Sequence, residues 1–230
     1  MFIGHYGVAL AAKRATPRTS LGALFVAVQL LDVVFGVLVL AGVEKLRIVP
    51  GFTGATPYDL YFMPYSHSLA GAVFWSALAA LAFGILAPRG KEKLATEKKT
   101  RVLGALVFGA AVLSHFALDY PMHTPDLPLG FDPSSPKVGL GLWNQVDVTL
   151  TLELGVLVAG GALYAGATLP RPGMQLATIA TAVVLLGLAV ATPFVPIPSG
   201  PNDFALQALG AYAALALLAE WMDRSRVPAT

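Results

Sequence analysis

The chain has 230 residues, 56% of them hydrophobic and 12% charged, with a mean hydropathy of +0.70 and a formal net charge of +2. Soluble domains carry roughly 25% charged residues, so the composition excludes a water-soluble fold. The absence of cysteine excludes disulfides, thiolate nucleophiles, Cys-ligated zinc and iron–sulfur clusters, so any metal is held by imidazole and carboxylate.

Residues 2–12, FIGHYGVALAA, are apolar but too short to cross a hydrocarbon core, which takes about 20 residues, and they lack the pattern of a cleaved signal peptide. They predict a short re-entrant or interfacial helix. Six longer apolar runs follow, at about 20–42, 66–87, 102–119, 145–168, 175–194 and 204–221. The predicted fold is all-α, a single integral membrane domain over 1–230 with about six transmembrane helices.

Lysine and arginine are retained on the cytoplasmic side. With the first span leaving the cytoplasm, all of the 15 Lys and Arg fall inside except Lys45, Arg47 and Lys137. Both termini are then cytoplasmic, in a cell (inner) membrane, and PRGKEKLATEKKTR (88–101) is a solvated cytoplasmic loop. Because the positive charge sits where topology requires it, it gives no reason to expect a nucleic-acid partner. No phosphate loop, dinucleotide fingerprint or internal repeat is present. The Pro/Gly-rich segments 48–64, 124–141 and 193–203 lie on the opposite, extracytoplasmic side, and two are long for connections in a compact bundle.

Polar groups are scarce and clustered. SHFALDYPMHTPDLP (114–128) carries His115, Asp119, His123 and Asp126. On a helix His115 and Asp119 share a face one turn apart, where both can ligate one ion. Pro121 then ends the helix, and His123 and Asp126 sit on a loop able to fold back. The chain's other two histidines are His67, in PYSHSLAG at the outer end of the second span, and His5, in the N-terminal segment. Asp32 stands inside the first span with Gln29 one turn before it, and Glu153 stands inside the fourth, with Asp147 nearer the surface. An intramembrane carboxylate costs on the order of 2.5–3.5 kcal/mol on insertion scales and by default marks a functional site. By depth, Asp32, His67, His115, Asp119 and Glu153 converge on one extracytoplasmic cavity, whereas His5 has to reach up from the cytoplasmic side. Asp32 as a packing hydrogen-bond partner, Asp126 as a turn former and Glu153 as a partner of a neighbouring serine are the structural alternatives. Trp75, Trp143 and Trp221 fit an interfacial belt, and the glycines of 155–166 fit a close-packing helix face.

GHYGVALAAKR near the start, an Asp in the first span, SHSL opening the second and His-x-x-x-Asp closing the third together resemble the membrane-bound metal-dependent hydrolases of the YdjM type, over about the first 130 residues. The resemblance implies that His5, Asp32, His67, His115 and Asp119 form a polar cluster. The sequence departs from the family pattern in its single Asp32, in lacking His-Arg-Gly before Ser66, and in the additional His123 and Asp126.

These features predict a divalent metal, zinc first, as one or two ions held by His5, Asp32, His67, His115, Asp119 and His123. Asp126 or Glu153 takes a proton from the attacking water. The expected chemistry is hydrolysis of an ester or phosphoester of a lipid or lipid-linked substrate in the bilayer, with 169–230 as a helical scaffold. The rivals are an ion- or proton-coupled transporter, a non-catalytic partner-binding membrane protein, and a serine hydrolase using Ser66 or Ser114. The last is disfavoured because neighbouring residues on a helix point about 100° apart.

Overall fold

The computed structural model describes residues 1–86, 94–191 and 194–229. Eight helices run in chain order as α1 (Ile3–Ala15), α2 (Leu21–Val28), α3 (Leu30–Leu40), α4 (Leu69–Leu86), α5 (Leu94–Met122), α6 (Val146–Ala167), α7 (Gln175–Ala191) and α8 (Pro201–Arg224). Three two-stranded antiparallel pairs cap the ends: β1 (Lys45–Ile48) with β2 (Tyr58–Phe62), β3 (Leu127–Pro128) with β4 (Lys137–Val138), and β5 (Thr168–Pro170) with β6 (Arg226–Pro228).

The all-α membrane bundle is as expected, but with fewer clean spans than six. Among the described residues, four helices are long and apolar enough to cross a membrane, Leu69–Leu86, Glu97–Met122, Val146–Ala167 and Pro201–Arg224, and a fifth span arises if α2 and α3 are counted together. That pair bends by 59°, because Gln29 leaves helical geometry at φ −106° and ψ 8°. The helix α7 has 17 residues and falls short of the length of a straight span. Of the expected loop 88–101, residues 94–101 are instead the start of α5, and 88–93 lie outside the described residues. Pro121 does not itself end α5, which runs one residue further to Met122; its ring and missing N–H affect only the bond to the carbonyl four residues back.

The N-terminal segment is a buried helix rather than an interfacial one. Ile3, His5, Tyr6 and Ala9 are closed off, and α1 packs against α6, α2 and α5. Glycine makes the α1–α6 crossing possible: a Cβ on Gly160 would overlap the Gly7 carbonyl oxygen, and one on Gly7 would overlap the backbone of Val156. The glycine face of α6 is therefore a packing surface, as its sequence suggests. Glu153 fixes the same helix at its start, where its carboxylate accepts from the backbone N–H of Phe2 at 3.1 Å and of Gly4 at 3.1 Å. A carboxylate at a helix N-terminus satisfies orphan donors and complements the helix dipole.

At the far end of α1, buried Lys13 donates to Asp223 Oδ2 and to the Thr19 carbonyl, both at 2.7 Å. Nearby, Arg226 binds Thr168 Oγ1 at 2.7 Å and Thr178 Oγ1 at 3.0 Å, tying β6 to β5 and α7. Met1, by contrast, lies beside Asp119 at the last turn of α5. Met1 and Arg226 therefore stand at opposite ends of the bundle.

Gly160→Ala should destabilise the protein in detergent by about 1–3 kcal/mol through overpacking, whereas Gly155→Ala, whose Cβ meets nothing within 4 Å, should leave the unfolding midpoint unchanged. Glu153→Ala should cost about 1–3 kcal/mol by orphaning the start of α1, and Glu153→Gln, which keeps an acceptor, should recover part of it. Thermal unfolding of the four variants beside wild type checks both statements.

Candidate metal centre

Local structure brings each polar side chain to one end of the bundle. His5 is in the first turn of α1, and Asp32 is in the first turn of α3, just past the break at Gln29. Ser66, His67 and Ser68 form a turn ahead of α4, with His67 N–H bonded to the Met63 carbonyl at 3.2 Å and Ser68 Oγ capping Gly71 N–H at 2.8 Å. His115 and Asp119 lie one turn apart on α5, and His123 follows its last residue. The loop 139–141 folds back to hold His123, with Gly141 N–H bonded to the His123 carbonyl at 2.6 Å. Gly139 makes that approach at φ +152°, where any Cβ would overlap the Thr124 carbonyl, so glycine is required there.

Asp119 is the hub. Its Oδ2 is 3.1 Å from His115 Nε2, 3.5 Å from His123 Nε2 and 3.8 Å from His67 Nε2. Its Oδ1 is 3.2 Å from His5 Nε2 and 2.6 Å from the Met1 amino group. Asp32 Oδ1 closes the ring, 3.2 Å from His67 Nε2 and 3.6 Å from His115 Nε2. His5 stacks flat on His115, ring centroids 4.0 Å apart. The six residues expected to ligate a metal, His5, Asp32, His67, His115, Asp119 and His123, are thus gathered in one place. Five are at most 2% exposed, while the Asp32 side chain is 19% exposed.

Three rings are anchored from behind through Nδ1. His115 Nδ1 donates to the Val28 carbonyl at 2.7 Å, a last-turn acceptor that the helix break leaves without an intrahelical partner. His123 Nδ1 meets Asp126 Oδ1 at 2.8 Å, and Thr124 Oγ1 donates to Asp126 Oδ2 at 2.9 Å. His67 Nδ1 meets Ser66 Oγ at 2.7 Å. With the protons held at Nδ1, the Nε2 lone pairs point at carboxylate oxygens. Such an arrangement repels itself unless a cation lies between, and it is the outer-shell pattern of metal-binding histidines.

The donor set fits a metal. Two ligands bound to zinc at about 2.0–2.2 Å stand about 3.3 Å apart across a tetrahedral edge, close to the 3.1–3.8 Å N···O separations around Asp119 Oδ2. His115 Nε2, though near Asp119, is out of line for a hydrogen bond, and neither ring nitrogen of His5 has a hydrogen-bond partner among the described residues. Two triads have ligand atoms within 4.8 Å of one another, His5–His115–Asp119 and Asp32–His67–His115. At His123, beyond the end of α5, burial alone would lower the pKa, but Asp119 and Asp126 on either side hold it above the usual histidine value.

The other two carboxylates are placed differently. Asp126 supports His123 from behind, and Glu153 is engaged with the start of α1. Asp147 is exposed. The serine geometry also differs from expectation: Ser66 and His67 precede the helix, so their side chains do meet. Ser66 Oγ is fully buried and donates to Glu44 Oε2 at 2.6 Å, which leaves it no role as an accessible nucleophile, and Ser114 Oγ is spent on the Ala111 carbonyl at 2.7 Å. Trp143 lies against His123, ring centroids 4.1 Å apart. Sequence reasoning missed Glu44, which lies between Val43 and Lys45 and reads as a loop residue. It also missed Tyr212, whose hydroxyl donates to Asp32 Oδ2 at 3.0 Å from a segment that reads as lipid-facing scaffold.

No family model matches the chain, and neither a curated protein nor a solved structure does. The resemblance to YdjM-type hydrolases rests on the quoted motifs alone.

Proposed function

We propose that the protein is a membrane-embedded, zinc-dependent hydrolase acting on an ester or phosphoester of a lipid or lipid-linked molecule at the extracytoplasmic face of the inner membrane. One observation carries this reading: the imidazoles of His67, His115 and His123, two of them backed by an acceptor at Nδ1 and the third by a serine hydroxyl, all aim Nε2 at one oxygen of Asp119. These four residues would line the ion's site, which for water activation keeps one coordination position free of protein, with His5 beside them at the other Asp119 oxygen. Bound zinc supplies Lewis acidity, activating water near neutral pH and polarising the scissile carbonyl or phosphoryl group.

Asp32 is assigned the proton of the attacking water. It is the one carboxylate of the cluster with a partly exposed side chain, and Tyr212 donates to its Oδ2, leaving Oδ1 towards the imidazoles. Asp126 orients His123, and Trp143 covers it. The exposed side of Asp32 is the side from which a substrate headgroup reaches the cluster, its acyl or prenyl chain staying among the apolar helices.

A second reading, ion- or proton-coupled transport, is favoured by the 59° break of α2–α3 next to Asp32, since discontinuous helices beside an intramembrane carboxylate are a transporter device.

Elemental analysis of detergent-purified protein tests the reading first. Wild type should carry about one zinc, as one catalytic site requires, while His115→Ala and Asp119→Ala should lose it. Zinc-loaded wild type should cleave phosphoester or ester lipids, and Asp32→Asn should retain zinc while losing most of that turnover. Wild type without metal after chelator-free purification overturns the zinc reading. Zinc with cation flux in liposomes and no hydrolysis moves the assignment to transport.

A further inference from the structure

We infer that Glu44 is a positioning residue that sets, through Ser66, which nitrogen of His67 carries the ring proton. Glu44 lies between α3 and β1, is 1% exposed, and turns its carboxylate onto Tyr65 and Ser66. Its Oε1 accepts from Tyr65 N–H at 2.7 Å and Ser66 N–H at 2.9 Å, and its Oε2 accepts from Ser66 Oγ at 2.6 Å. Ser66 Oγ in turn lies 2.7 Å from His67 Nδ1.

The direction of this chain follows from counting protons. A carboxylate only accepts, and a hydroxyl has one proton to give. The Ser66 proton goes to Glu44, so Ser66 is an acceptor towards His67, whose proton must be on Nδ1. The Nε2 lone pair is thereby turned into the cluster, 3.2 Å from Asp32 Oδ1. Holding the turn needs only an acceptor for two backbone N–H groups, which a glutamine supplies. Setting the direction of the relay needs the charge-bearing, donor-free carboxylate.

Glu44→Gln separates the two roles. Its Oε1 still accepts from Tyr65 and Ser66 N–H, but its amide N–H now faces Ser66 Oγ. Ser66 is turned round to donate to His67 Nδ1, and the ring proton moves to Nε2, where it blocks ligation. Ser66→Ala cuts the relay and leaves both Glu44 backbone contacts in place, while Ser66→Thr keeps the hydroxyl.

The test uses full-length protein without metal, labelled with 15N-histidine in bilayers at alkaline pH. The His67 signals are assigned by their loss in His67→Asn. Wild type and Ser66→Thr should show the proton on Nδ1, Glu44→Gln should show it on Nε2, and Ser66→Ala should show both forms. The same nitrogen protonated in wild type and Glu44→Gln overturns the inference. If Glu44→Gln does not fold, an unchanged His67 signal in Ser66→Ala overturns it. Zinc affinity, measured by chelator competition, should fall about 10–100-fold in Glu44→Gln, as outer-shell changes do, and should hold in Ser66→Thr. This second measurement rests on the zinc reading. Wild type that binds no zinc sinks that reading, and the ring-proton comparison still decides the role of Glu44.

Discussion

Asp119 is 1% exposed in an apolar bundle, with four imidazoles and an amino group turned towards its two oxygens. A carboxylate withdrawn this far from water is tolerable only with positive charge or donors around it, and that requirement organises the end of the molecule where it lies. The last two turns of α5 carry His115 and Asp119, and the chain directly after them returns His123 to the same oxygen. α1, α3 and the turn before α4 each deliver one more group. None of these elements would need to meet at this point for packing alone, since their apolar faces also pack further along the bundle.

The backbone departs from regular helix where the cluster needs it to. The break at Gln29 exposes the Val28 carbonyl that anchors His115, and it starts α3 just ahead of Asp32. Unpaired backbone at membrane depth is tolerated only where protein buries it, and here an imidazole N–H satisfies it. The α1–α6 crossing has a similar logic. Two glycines let α1 sit against α6 closely enough for Glu153 to hold its first N–H groups, which sets His5 over His115. Glu153 is thus a carboxylate of the scaffold, one step removed from the chemistry.

Membrane class, helical architecture and a buried His/Asp cluster able to hold a metal ion were legible in the sequence. Hydropathy is summed over long windows, and histidines and aspartates are conspicuous in an apolar chain. Spans were over-counted because hydropathy is blind to a bend: nothing in VAVQLLDVV shows that Gln29 divides one apolar run into two helices. Depth arithmetic misplaced His5 because it assumed that α1 approaches from the cytoplasmic side, whereas its first turn is level with Asp119. Glu44 and Tyr212 were hidden for a different reason. Their roles depend on pairings across 22 and 180 residues, and neither stands out by type, one among loop charges and the other among the aromatic residues usual in such helices. Adjacency misled at Ser66 and His67, where an argument from helix geometry does not hold because the turn is not helical.

Stability gives no account of this cluster. Replacing buried ionic groups by well-packed apolar residues is often neutral or stabilising, and a bundle needed only to cross a bilayer would do better with aliphatic side chains at these positions. Buried charge also occurs at the other end, in Lys13 with Asp223 and in Arg226, but the largest polar cluster is the one around Asp119. There the molecule adds a second layer of acceptors, Val28, Ser66 with Glu44, and Asp126, whose contacts with the ligands are all at Nδ1. Support of that kind does little for two helices that merely touch, but it fixes the direction of a lone pair. Closing five of the six residues off from solvent while leaving Asp32 partly open sets one side of the cluster apart from the rest. Oriented donors around one buried carboxylate, with a second carboxylate partly open, are what the proposed metal-assisted reaction would require, and packing alone would not require them.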